Sequence, residues 1–488
     1  MLRALLFVLV TAPVATVPIS HTDDVVSSKP LVDRVLSRVC ASPSVDGHVL
    51  DDLAVMTGAE PGNNVHSREL FDLAQGISDR RHLICDVKQE ESVENPTPRS
   101  DAADVPPFIL FPGLTAPQLE AKYDIPLKER TPHFYCERHS REFHLLWMNP
   151  EAFVPGFRDC WEWAMAMSYD EVSGKFMNQS GVGVRAVDFG NMDNQKEWKM
   201  FGKVLPMYLD FINNATARGF VSNKTMFAAQ YDFRLDPESL MRSDYLANVM
   251  ALVDHAYAIN GNRKVSLVGH SYGSAVAHRF LRHVPQAWKE SRIAQYVSLC
   301  GPYGGSGAAL EMLLTGQSSQ KHGLGFTSDE LTTIARNIST APALMPIPEL
   351  VGGNDSIAVS TPDANITYAQ LPAYLDSIGL SKIVQYQRLS HFDLAPPGVP
   401  VHCINGYGIG TPVGFIFNTS DVLHNVPIAS RNVTGDSVVP RSSLNICQGW
   451  KTQQSEPVTS LEIQGLNHGF GLFEPKPMNI VLDILTAN

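Results

Sequence analysis

The sequence predicts an α/β fold in which a largely parallel sheet carries helices on both faces. Two observations support this prediction: short apolar runs that end in turn residues are typical of buried strands, and stretches with helical spacing lie between them. Strands that alternate with helices build a parallel sheet. With 488 residues, of which 44% are hydrophobic and 18% charged, the chain can bury one large core or two modest ones.

The predicted elements follow in chain order. A buried strand and a turn are expected in "PFILFPG" (Pro107–Gly113), where an apolar run ends in Pro-Gly. A helix before the strand "VSLVG" is indicated by apolar residues at helical spacing, namely Leu246, Val249, Met250, Val253 and Tyr257. A second helix before Pro285 is indicated in the same way by Ala277, Phe280, Leu281 and Val284. The run "AQYVSLCGP" then predicts another strand.

The N-terminal residues have the order of a secretory signal peptide, with an apolar stretch from Ala4 to Val10 followed by small residues and prolines. We expect a signal peptide over residues 1–18; the alternative is an uncleaved anchor, for which the stretch is short. The predicted location is the secretory pathway, either outside the cell or in the lumen of endolysosomes or secretory vesicles. Eight Asn-X-Ser/Thr sequons support export, at Asn178, Asn214, Asn223, Asn337, Asn354, Asn365, Asn418 and Asn432.

An acidic stretch with prolines, "KQEESVENPTPRSDAADVPP", predicts a linker that ends near residue 105. We expect an N-terminal extension of unassigned role over residues 19–105, in which Cys40 and Cys85 are a candidate disulfide pair, and a main domain over residues 106–488. The net charge is −12, and we find no basic run with interleaved aromatic residues, which argues against nucleic acid as a partner. The seven cysteines are scattered without metal-ligand spacing, so we expect no metal and no cofactor.

The stretch "SLVGHSYGSA" (Ser266–Ala275) is a candidate nucleophile elbow, because a predicted strand precedes Ser271 and a predicted helix begins around Tyr272. Gly269 and Gly273 allow the strand and the helix to approach closely around a strained serine. The helix N-terminus would direct backbone N–H groups toward an anion that forms beside that serine. A glycine turn with a solvated serine is the alternative interpretation.

A serine hydrolase of the α/β-hydrolase fold needs an acid and then a histidine later in the chain. "NVTGDSVVP" offers Asp436 in a Gly-Asp turn, and "LEIQGLNHGF" offers His468 in a loop after a strand-like run. We therefore expect His468 to take the proton of Ser271 and Asp436 to orient the imidazole. The backbone amides of Leu114, in "FPGLT", and of Tyr272 are the candidate oxyanion donors.

Several stretches together resemble the lecithin:cholesterol acyltransferase and lysosomal phospholipase A family over nearly the whole chain from Phe108 onward. In the family's order they are "LFPGLTAPQLEAK", "FRDCW", "AAQYDFRLDP", "LVGHSYGS", "PQAWK", "SLCGPYGGS", "TGDSVVP" and "GLNHG". The resemblance implies the same triad and the same oxyanion amides. It also implies disulfides Cys136–Cys160 and Cys403–Cys447, which leave Cys300 without an inherited partner. Two positions depart from the family: the turn Leu114–Pro117 replaces a glycine-rich one, and Tyr272 replaces an aliphatic residue or Met.

The segment over residues 136–160 is a candidate membrane-binding loop. Its apolar side chains include Phe143, Leu145, Leu146, Trp147, Phe153 and Phe157. Composition fits ordinary packing against the main domain equally well, whereas the resemblance favours contact with a membrane or a lipoprotein surface. The resemblance further implies a mobile lid from Gly304 and a cap over the acyl site, together spanning about residues 304–380.

The predicted function is that of a serine phospholipase A and lipid acyltransferase that forms an acyl-serine intermediate. The acyl acceptor is left open: water would make the protein a phospholipase, and a sterol or another lipid alcohol would make it an acyltransferase. Two alternatives are a lipid-binding protein without turnover and a soluble carboxylesterase of the same fold. The expected partners are therefore phospholipid and a lipid acceptor.

Overall fold

In a computed structural model of the chain, the described residues are 105–149, 157–200, 203–316, 328–390 and 393–487. The predicted signal peptide, almost all of the extension over residues 19–105 and the candidate Cys40–Cys85 pair lie outside these ranges. Phe153 and residues 317–327 of the predicted lid also lie outside them.

The strands of the described residues are short and spread over the whole domain. In chain order they are β1 (Phe108–Phe111), β2 (Leu119–Tyr123), β3 (His144–Trp147), β4 (Met167–Asp170), β5 (Lys175–Asn178), β6 (Val182–Ala186), β7 (Glu197–Met200), β8 (Lys203–Pro206), β9 (Met226–Ala228), β10 (Val265–His270), β11 (Ile293–Leu299), β12 (Ile357–Ser360), β13 (Asn365–Thr367), β14 (Val401–Tyr407), β15 (Ile409–Ile416), β16 (Ala429–Gly435) and β17 (Val458–Gln464).

The α-helices of the described residues alternate with these strands. In chain order they are α1 (Phe157–Met165), α2 (Leu209–Ala217), α3 (Pro237–Met241), α4 (Tyr245–Ile259), α5 (Tyr272–His283), α6 (Gln286–Arg292), α7 (Gly307–Thr315), α8 (Ser328–Arg336), α9 (Thr340–Ala343), α10 (Leu371–Ser377), α11 (Ser381–Leu389), α12 (Arg441–Leu444), α13 (Ile446–Gly449) and α14 (Pro475–Thr486). The predicted helices before "VSLVG" and before Pro285 are α4 and α5, and the prediction is confirmed at both places.

The main sheet has six strands in the order β17-β14-β11-β10-β1-β9, and every pair in it is parallel. Strand β1 shows why both faces are covered. Ile109 and Phe111 belong to one core with residues of α4 and α5, whereas Phe108 and Leu110 belong to a second core with residues of α2 and α14. All four side chains are fully buried, which explains a continuous apolar run in place of an alternating one. The predicted α/β-hydrolase architecture is confirmed.

Smaller sheets flank the main one. A four-stranded sheet in the order β13-β12-β15-β16 lies in the C-terminal half of the chain, and a three-stranded sheet in the order β3-β2-β6 holds the strand of the predicted membrane loop. Helices α7, α8 and α9 fall inside the predicted lid and cap and contact one another. Among the described residues, no helix has the length and apolar character that a bilayer crossing requires.

Both disulfides implied by the family resemblance are present. Cys136 is bonded to Cys160, and Cys403 on β14 is bonded to Cys447 on α13. Cys300 is free and buried, as the resemblance implied.

The structure corrects the membrane-loop prediction at three positions. Leu146, Trp147 and Phe157 are at most 3% exposed, and the first two are part of the core that includes Ile109 and Phe111. The Trp147 ring packs against Trp161, Trp198 and Phe233, which explains why this amphipathic side chain points inward. Phe143 and Leu145 are half-buried.

Candidate active site

Ser271 lies in the connection between β10 and α5, where its backbone is strained. Its φ is 54° and its ψ is −128°, a conformation that residues with a Cβ rarely adopt. The two glycines of the motif make the turn possible, because a Cβ on Gly269 would overlap Ser274 and a Cβ on Gly273 would overlap the carbonyl oxygens of Phe111 and Pro112. The serine therefore occupies a nucleophile elbow, with the end of β1 packed directly against the start of α5.

The three predicted triad residues are brought together by three separate loops. Ser271 Oγ lies 2.8 Å from His468 Nε2, and His468 Nδ1 lies 2.7 Å from Asp436 Oδ2. Asp436 follows β16 of the four-stranded sheet and His468 follows β17 at the edge of the main sheet, so two different sheets supply the acid and the histidine. The His468 backbone N–H also donates to the Asp436 carbonyl at 2.8 Å, which ties the two loops together.

The buried carboxylate of Asp436 fixes the tautomer of His468. Asp436 Oδ1 accepts hydrogen bonds from the backbone amides of Val439, at 2.7 Å, and Val438, at 3.2 Å. Its second oxygen is thereby aimed at His468 Nδ1, which donates its proton to it. Nε2 is then the unprotonated ring nitrogen and accepts the hydroxyl proton of Ser271, which is the arrangement that general-base activation of a serine requires.

The loop after β1 lies against the serine. A Cβ on Gly113 would lie 3.5 Å from Ser271 Cβ, and the next residue is Leu114, whose amide is a predicted oxyanion donor. Leu114 and Tyr272, the two predicted donors, both line the cavity that contains Ser271 and His468. Buried tyrosine hydroxyls hold the loop from two sides: Tyr231 donates to the Pro112 carbonyl at 2.6 Å, and Tyr208 accepts from the Gly113 amide at 2.7 Å.

A cavity of about 270 Å³ opens from Ser271 and His468. Its wall is mainly apolar and includes Trp147, Met312, Leu331, Ala341, Leu344 and Val439. Four of these, Met312, Leu331, Ala341 and Leu344, lie in the predicted lid and cap, so that region borders the cavity beside the serine. A narrow apolar cavity with one nucleophile at its mouth fits a hydrocarbon chain whose carbonyl end reaches the serine.

Sequence reasoning missed three residues of the site. Burial and the nearby charge of His468 lower the pKa of His270 to about 3, so its imidazole is neutral. Burial raises the pKa of its hydrogen-bond partner Tyr208, whose phenol therefore stays protonated. His270 lies within the serine motif, but nothing in the local sequence points to Tyr208, because 62 residues separate it from its partner.

Cys300 is the third missed residue, and it lies beside the triad. Ligand-type atoms of Cys300, Asp436 and His468 lie within 4.8 Å of one another, and this is the only such group among the described residues that could hold a metal ion. Burial raises the pKa of the Cys300 thiol well above its usual value. Since metal binding needs the thiolate, this environment does not favour a metal site.

A charged cluster joins the disulfide-closed segment to the helix that follows the predicted lid. Arg158 on α1 lies 3.1 Å from Glu330 on α8, 3.7 Å from Glu162 and 3.8 Å from Asp159. Burial raises the pKa of Glu162 to about 7; Arg158 opposes that rise, and the charges of Asp159 and Glu330 add to it. One guanidinium thus faces three carboxyl groups, and the raised pKa of Glu162 brings its titration close to neutral pH.

Comparison with known proteins gives a consistent result. The family model for lecithin:cholesterol acyltransferase matches residues 143–394 and 390–483. The phosphatidylcholine-sterol acyltransferase of Mus musculus is 30% identical over 398 residues, which is 80% of this chain and 87% of that protein. The Homo sapiens protein of the same name is 30% identical over 76% of this chain and 83% of its own length. The lysosomal phospholipase A and acyltransferase of Rattus norvegicus is 28% identical over 74% of this chain and 86% of that protein.

Proposed function

The chain belongs to the lecithin:cholesterol acyltransferase family, and we propose that it is a serine phospholipase A and lipid acyltransferase that works through an acyl ester of Ser271. One observation carries the proposal: Ser271 Oγ lies 2.8 Å from His468 Nε2 at the mouth of an apolar cavity. The names of the relatives add the substrate class, because they are called phosphatidylcholine-sterol acyltransferase and lysosomal phospholipase A and acyltransferase.

In the first half of the reaction, Ser271 Oγ attacks the carbonyl carbon of a phospholipid acyl ester while His468 Nε2 takes the hydroxyl proton. The imidazolium that results is stabilised by the buried carboxylate of Asp436 at 2.7 Å. The tetrahedral intermediate collapses as His468 returns the proton to the departing glycerol oxygen. A lysophospholipid leaves, and the acyl group remains on Ser271.

The negative charge on the carbonyl oxygen develops between the loop after β1 and the start of α5. Leu114 and Tyr272 line the cavity on these two sides, which supports their backbone amides as the oxyanion donors. The N-terminus of α5 adds a favourable field, because unsatisfied N–H groups at a helix start attract negative charge.

In the second half, His468 removes a proton from the acceptor hydroxyl, and the acceptor oxygen attacks the acyl carbonyl. The bond to Ser271 Oγ then breaks as His468 returns the proton to that oxygen, which restores the free serine. A lipid alcohol such as a sterol gives an ester, and water gives a free fatty acid. The choice between these acceptors depends on how far the lid and cap exclude water from the apolar cavity.

We place the enzyme in the secretory pathway, acting at a membrane or lipoprotein surface. Two disulfides support an oxidising compartment. Six of the eight sequon asparagines are exposed, as glycan attachment requires: Asn214, Asn223, Asn354, Asn365, Asn418 and Asn432.

Partial exposure of Phe143 and Leu145 supports this edge of the disulfide-closed segment as a lipid contact. Phe143→Ser should then reduce the fraction of protein that sediments with liposomes. An unchanged fraction would show that Phe143 does not contribute to lipid binding.

The arrangement argues against the two alternatives. A lipid-binding protein without turnover has no need of a serine, a histidine and a carboxylate joined by bonds of 2.8 Å and 2.7 Å. A soluble carboxylesterase that cleaves small esters would not explain the apolar cavity under the lid and cap.

The test is incubation of the purified protein with phosphatidylcholine liposomes, with and without cholesterol, followed by separation of the lipid products. We expect lysophosphatidylcholine in both cases. Cholesteryl ester in the second case identifies the sterol as an acceptor, and free fatty acid alone excludes sterol transfer. Absence of lysophosphatidylcholine would contradict the proposed function.

A further inference from the structure

Tyr208 connects two loops whose relative position the reaction depends on. Its hydroxyl oxygen accepts a hydrogen bond of 2.7 Å from the Gly113 amide and lies 2.9 Å from His270 Nδ1. Gly113 immediately precedes the predicted oxyanion donor Leu114, and His270 immediately precedes Ser271. One phenol oxygen is thus hydrogen-bonded both to the residue before the predicted oxyanion donor and to the residue before the nucleophile.

The Tyr208 hydroxyl is the centre of this chain of hydrogen bonds. Its oxygen accepts the N–H of Gly113, and a second hydrogen bond joins the hydroxyl to Nδ1 of the neutral His270 imidazole. Nε2 faces the loop of the catalytic histidine, since a Cβ on Gly471 would lie 3.1 Å from it. The imidazole is therefore held between Tyr208 on one side and the His468 loop on the other.

The surrounding packing leaves this chain little freedom. Tyr208 and His270 are 1% and 5% exposed. The Tyr208 ring stacks on Phe473 with centroids 5.7 Å apart, and the His270 ring meets Phe473 edge-on at 6.2 Å. Phe473 belongs to the segment that follows His468, so the aromatic contacts tie Tyr208 and His270 to the loop of the catalytic histidine.

We propose that Tyr208 is a positioning residue that sets the distance between the Leu114 amide and Ser271 through its hydrogen bonds with the Gly113 N–H and with His270 Nδ1. The inference rests on the proposed function. Oxyanion stabilisation depends steeply on donor placement, because a displacement of about 1 Å can reduce a rate by about a hundredfold. Tyr208 is not among the described residues that line the cavity, so loss of its hydroxyl should affect the transition state and spare substrate binding.

The test compares Tyr208→Phe with Tyr386→Phe by measuring kcat and KM on phosphatidylcholine liposomes and on a soluble 4-nitrophenyl ester. Tyr386 is a matched control, because its buried hydroxyl donates to the Met167 carbonyl at 3.1 Å and lies outside the site. Tyr208→Phe should lower kcat on both substrates by about tenfold to a hundredfold with little change in KM. Tyr386→Phe should keep the wild-type kcat. A wild-type kcat in Tyr208→Phe, or an equal fall in both variants, would overturn the inference.

Two substitutions of His270 separate positioning from general stability. His270→Asn keeps an acceptor oxygen near the Nδ1 position, whereas His270→Leu removes it. We expect His270→Asn to stay within about threefold of the wild-type kcat and His270→Leu to fall as Tyr208→Phe does, with thermal melts recorded for each variant. Equal falls for the two substitutions would contradict the positioning role. Inactivity of the wild-type protein on both substrates would instead overturn the proposed function, so the two failures are distinguishable.

Discussion

The indole Nε1 of Trp147 donates a hydrogen bond of 2.8 Å to the backbone carbonyl of Thr115. Thr115 has a φ of 65°, in the left-handed region that a β-branched residue rarely adopts, and it follows Leu114 in the loop beside the nucleophile. The Trp147 side chain also lines the cavity. A tryptophan that the sequence placed at a lipid surface thus supports a strained turn next to Ser271.

Trp147→Phe should therefore lower kcat and leave membrane binding intact. Loss of the N–H leaves the Thr115 carbonyl without this donor, and the loop that carries Leu114 can relax away from its position. We expect kcat on phosphatidylcholine liposomes to fall by about tenfold, with the fraction of protein bound to liposomes unchanged in a sedimentation assay. If the variant instead binds liposomes less and the bound enzyme keeps its normal rate, Trp147 contacts the lipid surface as the sequence predicted.

Asp436→Asn should reduce kcat by about 10⁴-fold, because an amide can donate to His468 Nδ1 and favour the wrong tautomer. The chain offers a matched control in the exposed pair of Asp421 and His424, whose Oδ1 and Nδ1 lie 2.8 Å apart. Asp421→Asn should keep the wild-type rate. A residual rate above about a tenth of wild type in Asp436→Asn would contradict the catalytic role of the Asp436 carboxylate.

Much of the fold and the triad could be predicted from local sequence. The strand that precedes Ser271 is buried along its whole length, so its sequence is mainly apolar, and close packing at Gly269 and Gly273 excludes a side chain at both positions. Asp436 and His468 were identifiable because each lies in a Gly-containing loop after Ser271, in the order acid and then histidine that this fold requires.

The unpredicted part depends on contacts between distant segments. Trp147 is a residue type that is common at membrane surfaces, and it lies in an apolar stretch of sequence. Only its packing on Trp161, Trp198 and Phe233 reveals that it is buried. Tyr208 likewise lies 95 residues from Gly113 and 62 from His270, and no local pattern marks a partner at such separations.

The disulfide between Cys136 and Cys160 should stabilise the domain. It closes a segment with a sequence separation of 24 residues, which limits the freedom of the unfolded chain. Replacing both cysteines by Ala should lower the free energy of unfolding by about 3 kcal/mol, measured by denaturant titration. An unchanged midpoint and slope would show that the bond does not contribute to stability.

Glu162 should make stability depend on pH between about 4.5 and 7. Its folded-state pKa is raised to about 7, so the folded protein binds the proton more tightly than the unfolded chain does. The stabilisation is complete below about pH 4.5 and is lost as the pH rises to about 7.

Glu162→Gln should remove this dependence and stabilise the protein at pH 8 by about 1 kcal/mol, a figure reduced for solvent screening. Thermal melts across the pH range measure it, with Glu349→Gln at an exposed carboxyl as the control. Identical pH profiles for wild type and Glu162→Gln would contradict the assignment.

The proposed reaction requires that the acyl group passes through Ser271. The most direct measurement is to quench the enzyme with acid during turnover of phosphatidylcholine, digest it, and determine by mass spectrometry which peptide carries the fatty acyl group. The account predicts an acyl ester on Ser271 that is absent from Ser271→Ala, together with loss of lysophosphatidylcholine in that variant. Continued product formation by Ser271→Ala, or an acyl ester on a different residue in the active enzyme, would contradict it.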